Sequence, residues 1–269
     1  MSIDSITNML TLIDTLTENP YLNDNTTIST TLSTLNATLN IMDVLVSSNT
    51  TNSTTLATAL NEASNIISNS LNQIQKLDCG LSSNFSGQAL NSSFELLQQL
   101  SEISLKGANS TNATSIFSTT AFLMFSGIFN SSQLNDMTIN ASDNSPQLQL
   151  GSIQDIQNLP SYVAMTYIYL KQDPTSCQDT PATNFSIQFQ DARTWQPVTI
   201  STSVQVIYPA SIFKNIKCDG GCPQSFDLGG NVKCVCLDIG FFDIKNQLGR
   251  MYQNSNFRLV TLSSIAGVF

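Results

Sequence analysis

The sequence predicts an α+β protein: an N-terminal helical subdomain over 1–108, then an antiparallel β-sandwich over 109–269. Three observations predict it. Apolar residues recur every three or four positions through Leu100, the period of a helix with one buried face. Beyond residue 108 they come as short runs or alternations between turn residues, which is how strands read. Four of the six cysteines then crowd into 218–236, within a late segment, 218–245, that reads as a disulfide-pinned ribbon.

The helices follow in order. Ile3, Ile6, Leu10, Ile13 and Leu16 line one helical face, and Asn19-Pro20 breaks that helix. Leu32, Leu35, Leu39, Met42 and Leu45 define a second. Leu56, Leu60, Ala63, Ile67, Leu71 and Ile74 define a third. Leu90, Phe94, Leu97 and Leu100 define a fourth, with Lys106-Gly107 as its stop: a cation in the last turn, then a glycine. Their outer faces are mostly Ser, Thr and Asn, which are weak helix formers, so tertiary packing must hold them.

Ala108 to Thr114 is a polar bridge to the strands. The predicted strands are Phe117–Phe129, Met137–Asn140, Gln147–Leu150, Tyr162–Leu170, Phe185–Phe189, Val198–Ile207, Val232–Asp238, Phe241–Lys245 and Phe257–Leu262. In Val198–Ile207, Val198, Ile200, Thr202, Val204 and Val206 share one face. Asp173-Pro174 and Asp179-Thr-Pro181 mark turns. Short strands at close spacing predict a sandwich.

Cys234 and Cys236 are two apart in a β-branched run, so on a strand they face the same way. Two crosslinks from there would pin the Gly-rich loop that carries Cys218 and Cys222. A four-thiolate zinc site competes, but Cys-x-Cys is tighter than zinc spacing favours. Spacing alone leaves all 3 pairings of four cysteines open. The remaining pair, Cys79 and Cys177, predicts a disulfide between the helical part and the sandwich.

Composition narrows the function. The net charge is −9, with ten basic residues among 269, so nothing offers phosphates a cationic footprint and no nucleic-acid partner is expected. Eleven Asn-x-Ser/Thr sequons occur, at Asn25, Asn36, Asn49, Asn52, Asn84, Asn91, Asn109, Asn112, Asn130, Asn140 and Asn184. With the clustered cysteines they predict an extracellular or cell-surface protein carrying N-linked glycans. The N-terminus lacks the basic and apolar regions of a signal peptide, and no run reaches the ~18 apolar residues of a membrane helix. An exported form would then be a mature piece or a fragment of something longer, meeting the membrane only through segments outside this chain.

No histidine is present, which removes Ser-His-Asp and Cys-His machinery, histidine metal sites and the commonest general base. Gly-rich phosphate loops and Gly-x-Ser-x-Gly elbows are also missing. Carboxylates remain for glycosidase chemistry, with Asp191, Asp238 and Asp243 as candidates. Asp219-Gly-Gly and Asp227-Leu-Gly-Gly lack the oxygen spacing of a calcium loop and read as turns. No cofactor or metal is expected.

Cys218 and Cys222, followed by Cys234-Val-Cys236, with Phe242 six residues on, resemble the GPCR proteolysis site (GPS) motif. That motif ends the GAIN domain of adhesion receptors and polycystin-like proteins, where helices also precede a sandwich. The family pattern is Cys-x-Cys-x-His-Leu-Thr-x-Phe. Here Asp238, Ile239 and Gly240 stand in the His, Leu and Thr positions, and the only tryptophan, Trp195, lies upstream. The resemblance implies pairs Cys218–Cys234 and Cys222–Cys236. It also implies a self-cleavage position between Ile239 and Gly240, followed by a buried strand at 240–244. Cleavage needs a hydroxyl nucleophile with a base beside it, and Gly240 has no side chain, so the chain is expected not to cut itself.

The leading function is a non-enzymatic, membrane-proximal module of an adhesion, receptor-like or polycystin-like surface protein, whose partners are other domains or subunits there. A structural subunit of an extracellular coat or filament is the alternative, and a secreted carboxylate hydrolase the third.

Overall fold

The computed structural model describes residues 2–19, 24–48, 52–78, 85–108, 110–141, 145–154, 156–171, 185–210, 218 and 223–236. Four helices come first: α1 (Ile3–Thr17), α2 (Asn25–Ser47), α3 (Ser53–Asp78) and α4 (Phe85–Gly107). Among the described residues, the strands that follow are β1 (Thr114–Ser118), β2 (Phe122–Asn130), β3 (Thr138–Ile139), β4 (Gln147–Leu150), β5 (Tyr162–Leu170), β6 (Phe185–Asp191), β7 (Val204–Tyr208), β8 (Gln224–Phe226) and β9 (Val232–Cys236). They form two antiparallel sheets, ordered β1-β2-β5-β6 and β3-β4-β7-β9-β8. The chain is α+β, with its helices before its strands.

Local chemistry starts the helices. Ser2 accepts a hydrogen bond from Ser5 N at the head of α1. Asp24 accepts one from Thr27 N at 2.7 Å at the head of α2. That backbone bond favours the ionised carboxylate and holds Asp24 below its ordinary pKa.

Packing makes three layers: helices, first sheet, second sheet. The first core joins the helices to one face of the first sheet, through Phe117, Phe122, Met124, Ile168 and Leu170. The second core lies between the sheets, where Val163, Met165, Tyr167 and Tyr169 meet Leu148, Val206, Tyr208 and Cys234. β5 is therefore buried on both faces, which is why Tyr162–Leu170 reads as a run rather than an alternation. Hydroxyls mark the seam between α4 and the sheet. Ser101 Oγ lies 2.7 Å from Ser126 Oγ and 2.6 Å from Thr166 Oγ1, so each buried hydroxyl has a partner.

Several sequence expectations need correction. Phe117–Phe129 is a hairpin rather than one strand. Its chain reverses at Thr119–Ala121, where Thr119 N donates to Phe122 O at 3.0 Å and Ser68 of α3 accepts from Ala121 N at 3.2 Å. Val198–Ile207 is divided between the sheets. Val198 N donates to Phe189 O of the first, Gln154 and Gly151 donate to Ser201 and Ser203, and strand pairing begins only at Val204. Strand β8, Gln224–Phe226, was not expected; it is short, polar at two of three positions and exposed. Leu16 is 50% exposed instead of buried. At ~100° per residue it falls well off the stripe formed by Ile3, Ile6, Leu10, Asp14 and Thr17.

α4 does end at Gly107 with Lys106 in its last turn, as expected, and both residues also serve packing. Gly107 is the last helical residue, and a Cβ there would meet Leu56 Cδ2 at 2.3 Å, so glycine lets α4 approach α3. Lys106 Nζ bonds Asp43 at 2.8 Å and Glu102 at 2.6 Å and sits 5.3 Å from the Trp195 ring centroid. Burial opposes its charge, yet the bonds to Asp43 and Glu102 prevail and hold its pKa above the ordinary lysine value. One cation thus ties α2, α4 and the turn after β6.

The end of α1 is held by polar groups instead of hydrocarbon. Asn69 Nδ2 of α3 donates to Asp14 Oδ1 at 3.0 Å and to Thr17 Oγ1 at 3.2 Å. Asp14 is 9% exposed and shares a side-chain hydrogen bond with Glu62. No Lys, Arg or His precedes Lys76, so no cation from α1 or α2 answers this pair. Burial first, then Glu62 and Glu18, push the Asp14 carboxyl up to about 6 from 3.8. The folded state keeps a proton that the unfolded chain releases. The contribution of Asp14 to stability, roughly 1–3 kcal/mol in all, is therefore fully present below about pH 4, falls as pH rises toward about 6 and is gone above. Asp14→Asn abolishes this slope: it stabilises the protein at pH 7 and changes little at pH 4. Urea midpoints across that range measure it, and a difference independent of pH would refute the assignment.

Candidate functional site: the cysteine hairpin

Of the residues singled out in the sequence, Asp227, Cys234 and Cys236 lie in the hairpin β8–β9 at one edge of the second sheet, and Cys218 is bonded to it. Asp227 builds its turn. Its Oδ1 accepts from Gly229 N at 2.8 Å and Asn231 N at 3.0 Å, and its Oδ2 accepts from Asn231 Nδ2 at 2.9 Å. Gly230, at φ +78°, supplies the left-handed residue that closes it. The bonds from Asn231, then those from Gly229, favour the carboxylate and hold Asp227 below its ordinary pKa. Asp227-Leu-Gly-Gly is a turn whose carboxylate bonds the turn's own backbone and the Asn231 side chain.

β9 pairs with β7 on one side and β8 on the other, with Cys234 opposite Val206 and Gln224. Cys234 is buried in the core between the sheets, and Cys218 packs against that core from outside the strands. A disulfide joins the two with Cα atoms 5.4 Å apart, one of the two pairs the resemblance implies. Sulfurs bonded to each other are not thiolate ligands, so this bond stands against a four-thiolate zinc site. Among the described residues no group of three or more potential ligands is placed to hold a metal. Cys236 lies in β9 opposite Val204. Cys222, Cys79, Cys177, Asp238, Ile239, Gly240 and Asp243 lie outside the described residues, as do both Asp-Pro turn regions, Phe241–Lys245 and Phe257–Leu262.

The tip of the hairpin is apolar. Phe226 is 67% exposed and Leu228 fully so, on a turn held rigid by Asp227.

The other chemical candidates are accounted for by structure. Asp191 Oδ1 accepts from Arg193 N at 2.8 Å and fastens the turn after β6. Asp14 and Glu62, a carboxylate pair not foreseen from sequence, touch each other and so lack the gap of about 5–9.5 Å that glycosidase chemistry needs. Tyr167 Oη has no hydrogen-bond partner among the described residues, and burial pushes the Tyr167 and Tyr169 phenols up, keeping both protonated.

The sequons fall in varied settings. Asn36 is exposed on α2, and Asn112 and Asn140 are exposed in loops. Asn25 and Asn91 are half-buried on helices. Asn52 accepts from Thr54 N at the head of α3, and Asn130 accepts from Ser132 N and Oγ. Asn49, Asn84, Asn109 and Asn184 lie outside the described residues.

Sequence reasoning missed a cleft of about 310 Å³ between α2 and α4. Its polar walls are Ser, Asn, Gln and one carboxylate, Glu95, and no periodicity marks which polar faces will oppose each other. No described helix is long and apolar enough to cross a membrane. Neither a scan against models of known protein families nor a search of curated proteins finds a match to this chain.

Proposed function

We propose that the chain is a non-enzymatic extracellular module of an adhesion, receptor-like or polycystin-like surface protein, built on the GAIN plan and not self-cleaving. The observation that carries this reading is the Cys218–Cys234 disulfide. It anchors a late loop to β9, just before the segment aligned with the cleavage motif. The order of helices, then sandwich, then pinned ribbon supports it, and the sequons agree with an oxidising, glycan-bearing compartment. A shared core between helices and first sheet suits a module that transmits load between neighbours without chemistry of its own.

The scaffold stays intact because the aligned nucleophile position is Gly240 and the aligned base is Asp238. Made through a secretory pathway, deglycosylated and run on a reducing denaturing gel, the protein is expected as one band near 29.2 kDa. Two fragments meeting between Ile239 and Gly240 would reject the inert-scaffold reading. Recovery of Cys218 and Cys234 as free thiols from that secreted protein would reject the extracellular one.

A further inference from the structure

The cleft between α2 and α4 has a sequon on its wall. Ser29, Ser33 and Asn36 line it from α2, and Gln88, Ser92 and Glu95 from α4. Leu32, Ala89 and Leu96 form its buried floor. Helical side chains lean toward the N-terminus, so Asn36 leans over the turn that carries Leu32 and Ser33. Its own side chain is exposed. A rim of hydroxyls, amides and the Glu95 carboxylate over an aliphatic floor matches a sugar ring, with its hydrogen-bonding polar edge and apolar C–H face. No other described sequon asparagine lines this cleft.

We propose that Asn36 carries an N-linked glycan whose first sugar lies in this cleft and clamps α2 to α4; this rests on the extracellular reading above. The donor is a lipid-diphosphate-linked oligosaccharide. Asn36 Nδ2 attacks the anomeric carbon, the C1–O bond to phosphate breaks, the amide loses a proton and the lipid diphosphate departs. Transfer precedes folding. In the folded chain the Thr38 hydroxyl of the sequon is buried and donates to Thr34 O at 2.9 Å, so it is unavailable to assist.

The experiment compares wild type with Asn36→Gln, Asn112→Gln and Asn140→Gln, each made through a eukaryotic secretory pathway and again, without glycan, in a bacterial periplasm. Peptide mapping reads occupancy and thermal melting reads the clamp. Asn36 is expected to be occupied, and N36Q to lower Tm by about 2–4 °C in glycosylated protein only. N112Q and N140Q leave Tm unchanged, as does enzymatic trimming to the single first sugar. If other sequons are occupied but Asn36 is bare, the proposal is overturned while the extracellular reading stands. No occupancy at any sequon overturns both. Occupancy at Asn36 with no Tm difference, or with the same difference in glycan-free protein, removes the sugar from the cleft.

Discussion

Phe122→Ala is expected to lower the unfolding free energy by about 3–5 kcal/mol and to melt helices and sheets together. Phe122 opens β2, is fully buried, and pairs with Leu170 on the sheet face that the helices cover. Truncation loses the transfer free energy of the ring and leaves a cavity that β2 cannot fill. β2 cannot move because it is bonded on both sides, to β1 and to β5. Since one core joins helices and first sheet, the loss must reach both. Helical and aromatic circular dichroism in urea should shift by the same amount. Leu12→Ala, at an exposed site on α1, should shift neither by more than about 0.5 kcal/mol. Sheet signals lost first, with the helices unchanged, would show that the cores fold apart.

The Cys218→Ala/Cys234→Ala pair is expected to cost about 3 kcal/mol, the loop-closure value for a separation of 16 residues. Alanine at 234 also leaves a small void beside Val206, since Cys234 is buried there. The loss should be local at first. Among the described strands β8 pairs only with β9, so its amide hydrogens should exchange faster while those of β5 stay protected. Hydrogen exchange and the urea midpoint together decide it. An unchanged midpoint with unchanged β8 protection would mean the disulfide merely decorates a hairpin that stands alone.

Much of the fold was legible because its helices bury one face each. In α3, every residue from Leu56 to Ile74 assigned to the buried stripe is buried. β4 and β5 fall at Gln147–Leu150 and Tyr162–Leu170, as their runs predict. Reading failed where one apolar pattern served two partners. The Phe117–Phe129 run looked continuous because the turn at Thr119–Ala121 is only mildly polar, and Ser68 of α3 supplies the bond that fastens it. Val198–Ile207 alternates throughout, yet its first half bonds one sheet and its second half the other. β8 had no apolar period, since its neighbour β9 and the turn at Asp227 place it.

The candidate site was legible to the same degree. Cysteine spacing located the pinned ribbon, but which sulfurs join is a matter of distance, and only the pairing of β9 with β7 sets Cys234 beside the core that Cys218 reaches. By itself the sequence determined the helix faces, the order of helices before strands, the lack of histidine chemistry and the sequons. Only the tertiary structure decided that Asp14 meets Glu62, that Lys106 sits under Trp195, and that Asn36 overhangs a cleft. Periodicity is a property of one element and survives in the chain. Contacts between polar faces carry no period, and exist only once two elements have been brought together.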